Sequence, residues 1–313
     1  MRTRLPLALL AVAFACTFAT APAHARARTF VASYGNDANP CTFGSPCKTF
    51  QQAVNIVDAG GEVTAIDSAG FGPINITKAV TITSPAGVEA GIAANANADA
   101  IDIDAGQSDT VVLSGLTLAG DKSAVDGIHF GSGQALEIIN CAIRGFKDFG
   151  VYVIPTTSAQ VLISNTVIND NFEGIGLQTI NGGPIIAAID HVTLNNNDVG
   201  VNVFSENSSV EASIRDSGID NNYKYGVQVG GGCQPTTIST VALRNVSLNE
   251  TPNPIYVADC ANVYLSHVVQ ALAPPFPYNP GVIFANRNNN HVFSDGTNLM
   301  SAPPNSFEVW AVQ

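Results

Sequence analysis

Basic side chains are scarce in this sequence. Only 13 Lys and Arg stand against 25 Asp and Glu, for a formal net charge of −12. Nucleic acid and anionic membrane surfaces need a basic footprint, so neither is expected as a partner. Charge of either sign is sparse at 12%, while 46% of residues are hydrophobic. That balance excludes a disordered chain and calls for a large buried core. Beyond the first residues no apolar run is long enough to cross a bilayer. There is no Cys-x-x-Cys, which argues against a zinc finger. There is no Gly-x-Ser-x-Gly, so the nucleophile elbow of Ser-His-Asp hydrolases is missing.

What is present begins with an export signal over residues 1–25. Arg2 and Arg4 form its charged start, residues 5–18 its apolar stretch, and Ala23-His24-Ala25 its small-x-small cleavage site. The mature chain is expected to be secreted, periplasmic or extracellular, with no transmembrane segment once the signal is removed. Cys16 leaves with the signal and five cysteines remain. Cys41 and Cys47 bracket a loop short enough to staple. Cys233 and Cys260 follow the apolar runs at Val229 and Val257, so stacking those runs would bring the thiols into neighbouring turns. An exported chain tolerates both disulfides. Cys141 reads as a buried packing thiol.

The dominant feature is a spaced echo. Leu113, Ile138, Ile163, Ile189, Ile214, Leu243 and Leu265 each precede a short residue and a turn residue, at steps of 22 to 29 residues. A second echo interleaves: Gly127-Ile128, Gly150-Val151, Gly174-Ile175, Gly200-Val201, Gly226-Val227, then Pro254-Ile255. Repeats of this length mean stacked coils that cannot bury their apolar face alone. The predicted architecture is all-β: a right-handed parallel β-helix, a solenoid of nine to ten coils with an N-terminal capping helix. Residues 26–61 form an N-terminal strand, a loop and the capping helix near residues 47–58, with Phe50, Ala53, Val54 and Val57 on one face. Residues 62–270 are coils, and residues 271–313 a C-terminal cap and tail in which residues 307–312, with Trp310, close the far end. Asn165 and its equivalents Asn140, His191, Asp216, Asn245 and His267 sit at a tight turn. Asparagine tolerates left-handed geometry there, and the aligned side chains are expected to bond one another as a ladder.

This pattern resembles the right-handed parallel β-helix proteins of the pectate-lyase-like superfamily over about residues 29–270. Phe30-Val31-Ala32-Ser33-Tyr34-Gly35-Asn36-Asp37-Ala38-Asn39-Pro40, followed by Pro46-Cys47-Lys48-Thr49-Phe50, looks like the start of many secreted bacterial members. The superfamily includes lyases, hydrolases, epimerases, tailspikes and adhesins, so the resemblance implies the fold and not the activity. The paired aspartates, Gly-His-Gly and Arg-Ile-Lys of its polygalacturonases do not occur. The basic pair within the coils, Arg144 and Lys147, does not supply a lyase arginine, because Arg144 fills the turn position of Asn169 in the next coil.

In that superfamily the substrate lies along the outer face of the strand after the glycine echo. Here this row is His129, Tyr152, Gly176, Asn202, Gln228 and Tyr256. Tyr152, Asn202, Gln228 and Tyr256 are the candidate sugar-binding residues, and His129 is the one histidine to test for catalysis. No carboxylate is expected in the row, so general acid–base work lacks its usual pair. Asp126, Asp148, Glu173 and Asp198 precede the strand in four successive coils, and calcium would relieve their mutual repulsion. Two functions follow as expectations. One is an exported β-helix that contacts a glycan or cell-envelope polymer without catalysis. The other is a divergent lyase or hydrolase of an acidic polysaccharide.

Overall fold

The computed structural model describes residues 27–234, 237–270, 282–284 and 291–294. The expected export signal and residues 307–312 of the expected C-terminal cap lie outside the described residues, while Val282–Phe284 and His291–Ser294 of that segment pair as strands with the preceding coil.

The chain is a parallel β-helix built almost wholly of short strands. Each regular coil contributes three. In one coil these are Phe149–Val153, Ala159–Ser164 and Val167–Asn169. Every strand pairs in parallel with its counterpart one coil away, so the polar backbone is satisfied between coils. The first strand of each coil enters a nine-stranded sheet, and the second and third enter a 17-stranded sheet. Among the described residues this sheet takes one strand from each of nine coils, about eight turns from first to last.

The leucine and isoleucine echo is the register itself. Leu113 pairs with Ile138, Ile138 with Ile163, Ile163 with Ile189, Ile189 with Ile214, Ile214 with Leu243 and Leu243 with Leu265. All seven are buried, as is the facing inner row of Ile128, Val151, Ile175, Val201, Val227 and Ile255. Strand alternation puts every second side chain into this core. Burying each is worth about 1.5–3 kcal/mol.

The glycine echo has a steric cause. A Cβ at Gly127, Gly150, Gly174 or Gly200 would meet the carbonyl oxygen of the matching glycine one coil on, at 2.4 to 2.8 Å. At Gly226 it would meet the carbonyl of Pro254 at 2.6 Å. Adjacent coils touch at this corner through backbone alone.

The helix α1 spans Phe50–Ile56, shorter than the predicted residues 47–58. Asp37 accepts hydrogen bonds from the Lys48 and Thr49 amides, holding that stretch extended. Thr49 then caps the helix by accepting from the Gln52 amide at 3.2 Å. Phe50, Ala53, Val54 and Val57 are buried, and Phe50 packs on Phe71.

The asparagine ladder forms at a different position from the one predicted. Asn140, Asn165, His191, Asp216, Asn245 and His267 all take positive φ, between 49° and 54°, as the turn requires. Along that set the bond from one coil's side chain to the next is Asn245 to Asp216, at 2.5 Å. The continuous ladder is buried and runs through Asn171, Asn197 and Asn222 to Thr251. The preceding residues Asp170, Asn196 and Asn221 take positive φ and aim the amides inward.

Two disulfides staple the solenoid, Cys41–Cys47 and Cys233–Cys260, and Cys141 is a free buried thiol. All three are as expected.

Candidate functional site

The outward row of the nine-stranded sheet follows the predicted order. His129 pairs with Tyr152, Tyr152 with Gly176, Gly176 with Asn202, Asn202 with Gln228 and Gln228 with Tyr256. The register extends it by two coils, from His129 to Asp102 and from Asp102 to Asn75. A carboxylate therefore does lie in the row, contrary to expectation. Ala100 stands where Gly127 stands one coil later, which hid the Asp102 strand from the glycine pattern.

Aromatic rings make a platform on this face. Phe149 and Tyr152 stack at 4.1 Å and 7° between planes, and His129 stacks on Tyr152 at 5.7 Å and 15°. Gly176 leaves room for the Phe149 ring, because a Cβ there would lie 2.5 Å from it. The Tyr152 hydroxyl donates to Gln178 at 3.1 Å, and burial raises its pKa. Three and four coils further on, Tyr225 and Tyr256 lie 4.7 Å apart with the Lys224 ammonium over the Tyr225 ring. At about 4.8 Å per coil these two rings stand roughly 14 and 19 Å along the axis from the first platform.

The acidic end of the row collects Asp99, Asp102, Asp126 and His129. Each of two carboxylates is held by an amide one coil on. Asp99 Oδ1 accepts from the Asp126 amide at 3.0 Å, and Asp126 Oδ1 accepts from the Phe149 amide at 2.9 Å. His129 Nδ1 lies 3.6 Å from Asp99 Oδ2 and 3.4 Å from Asp102 Oδ1. Asp126 is buried, and desolvation pushes its carboxyl up to about 7. Desolvation also raises Asp102. Burial works against the Asp99 anion too, but His129 and the Asp126 amide hold its carboxyl below the usual range. The contact with Asp99 raises the pKa of His129.

The four acids singled out in sequence take different places. Asp126 joins Asp99 and His129, with one donor atom from each within 4.8 Å of the others. Asp148 is exposed. Glu173 is half-buried, which raises its pKa, and it accepts from the Asn202 amide at 3.0 Å. Asp198 is half-buried, and its backbone carbonyl accepts from the Lys224 and Tyr225 amides. Lys147 points away from the acids, to Asn97 Oδ1 at 2.9 Å. Arg144 pairs in register with Asn169, the turn role expected of it. His191 sits 3.2 Å from Asp190 in the turn after the second strand of its coil and is not part of the row.

Residues 92–243 match the sequence family described as the right handed beta helix region. The chain folds as a right-handed parallel β-helix. Among solved structures, pectate lyase Pel9A superposes with a TM-score of 0.59 at 13% identity, over 85% of this chain and 74% of that one. The full-length tailspike protein 2 from Escherichia coli O157:H7 bacteriophage CAB120 superposes with a TM-score of 0.50 at 11% identity. That alignment covers 85% of this chain and 42% of the tailspike. No curated protein matches the chain in sequence. Identities this low speak for the fold alone.

Proposed function

We propose that this is an exported protein that contacts a glycan or cell-envelope polymer along the outward row of the nine-stranded sheet. One observation carries the reading: an unbroken row in which Tyr152, Asn202, Gln228 and Tyr256 share a face, with an aromatic platform at Phe149 and Tyr152 and another at Tyr225 and Tyr256. Aromatic faces stack on sugar rings and amides bond hydroxyls. The low count of basic residues keeps nucleic acid out of this reading. Two disulfides support export to an oxidising compartment, and no helix among the described residues is long and apolar enough to cross a membrane.

Glycan-array binding, followed by calorimetry on the best polymer, tests the proposal. Tyr152→Ala with Tyr256→Ala should weaken binding at least tenfold, about 1.4 kcal/mol. No polymer bound, or equal affinity in the double variant, would overturn it.

A second reading is favoured by the carboxylates beside His129: a lyase or hydrolase of an acidic polysaccharide. In that reading a buried Asp126 holding its proton near neutral pH serves as an acid, with His129 beside it. With Asp126 as the acid, calcium would be held by the rest of the acid column, Asp148, Glu173 and Asp198, and would bind the anionic substrate. Screening uronate polymers with and without calcium, for unsaturated or reducing ends, decides between catalysis and contact. Products that vanish in His129→Ala support the second reading, and no product on any polymer rejects it.

A further inference from the structure

Asp99 and Asp126 share one arrangement on successive coils. In each, Oδ1 accepts a backbone amide from the next coil, and the other oxygen accepts no hydrogen bond from an amide. This fixes both carboxylates against rotation. Asp99 Oδ2 faces His129, a carboxylate oxygen of Asp126 lies within 4.8 Å of both, and Asp126 is only 5% exposed. The imidazole is not seated in a well-made ion pair, because 3.4 and 3.6 Å exceed the 2.7–2.9 Å of a charge-assisted hydrogen bond. Atoms that share a tetrahedral zinc ion at bonds of 2.0–2.1 Å lie about 3.4 Å from one another.

We propose that Asp99, Asp126 and His129 form a site for a divalent transition-metal cation of the zinc class. Two carboxylates and a neutral imidazole supply two negative charges to offset the ion. Imidazole nitrogen suits zinc and its neighbours, whereas calcium takes oxygen ligands. The two amide bonds from the next coil act as the outer shell that orients the ligands. Asp102 Oδ1, beside the same imidazole nitrogen but outside the three-residue cluster, is placed to hold a bound water. The site takes Asp126 out of the calcium set expected from sequence and leaves Asp148, Glu173 and Asp198.

The purified full chain, stripped with chelator, is titrated with zinc and separately with calcium by calorimetry. One equivalent of zinc should bind, and His129→Ala and Asp126→Asn should each weaken it at least tenfold. Asp148→Asn with Glu173→Gln should leave zinc affinity unchanged while removing any stabilisation by calcium. Cobalt(II) bound to the wild-type chain should absorb in the visible, and X-ray absorption at the zinc edge should show a mixed nitrogen and oxygen shell. The edge measurement needs no variant, so it decides the matter even if a substitution disturbs folding. No zinc uptake, a shell of oxygen alone, or unchanged affinity in a folded His129→Ala chain would overturn the proposal. Glycan binding is read in a separate assay, so either result leaves the function of the row to be judged on its own.

Discussion

Asn197 is the side chain on which three coils meet. It is fully buried. Its Oδ1 accepts from the Asn171 amide and from Asn171 Nδ2, while its own Nδ2 donates to Asn222 Oδ1 and to the Ile168 carbonyl, all between 3.0 and 3.2 Å. Asn197→Ala would orphan donors and acceptors in both neighbouring coils. At roughly 1–3 kcal/mol for each buried group left unmade, the expected loss is about 3–5 kcal/mol, read from urea unfolding midpoints. Cys141 tests burial in another way. Desolvation pushes its thiol up to about 11, so the nucleophilic thiolate is absent at pH 8. Iodoacetamide should leave Cys141 unmodified in the folded chain at that pH and label it in denaturant. Rapid labelling under native conditions would contradict its burial.

At the scale of the strand, the glycine corner sets the spacing between coils. A Cβ at Gly174 would lie 2.5 Å from the Gly200 carbonyl and 2.5 Å from Leu194 Cδ2. The leucine can rotate but the carbonyl belongs to the ladder. Gly174→Ala should cost about 1–3 kcal/mol by overpacking. Gly70→Ala, in a strand where a Cβ meets nothing within 4 Å, should be neutral within about 0.5 kcal/mol. The two variants measured side by side by chemical denaturation separate coil contact from glycine's loss of chain entropy. Equal effects would mean that the corner is not the constraint.

Across the whole molecule, contacts run between neighbouring coils, so stability is a sum of local steps and the ends can fray first. The Cys233–Cys260 bond joins adjacent turns in the C-terminal part, closing a loop of 27 residues. On the chain-entropy account such a closure is worth about 3–4 kcal/mol. Cys233→Ser with Cys260→Ser should therefore speed hydrogen exchange in Tyr225–Gly231, Ser239–Ser247 and Asn253–Val257, leaving Thr110–Ser114 and Ala135–Ile139 protected. A uniform loss of protection would show one cooperative unit instead. The calcium reading also belongs here. If Asp148 and Glu173 hold calcium, the melting temperature rises with the logarithm of free calcium, and Asp148→Asn with Glu173→Gln abolishes the rise. Identical melting curves in chelator and in millimolar calcium would remove it.

The sequence by itself determined the solenoid, its register and both disulfides. Each coil answers only to its neighbours, so a local spacing such as Leu113 to Ile138 carries the long-range pairing with it. Alternation along a strand then determined the outward row from His129 to Tyr256. Tertiary structure alone decided two things. Asn171, Asn197 and Asn222 look in sequence like any turn asparagine, and the left-handed residue before each one is what turns the amide inward. Asp99, Asp102, Asp126 and His129 come from two segments one coil apart, and the first of them carries Ala100 where the echo has glycine. Their convergence depends on the register that sets His129 beside Asp102 and on the Asp126 amide that turns the Asp99 carboxylate toward the next coil.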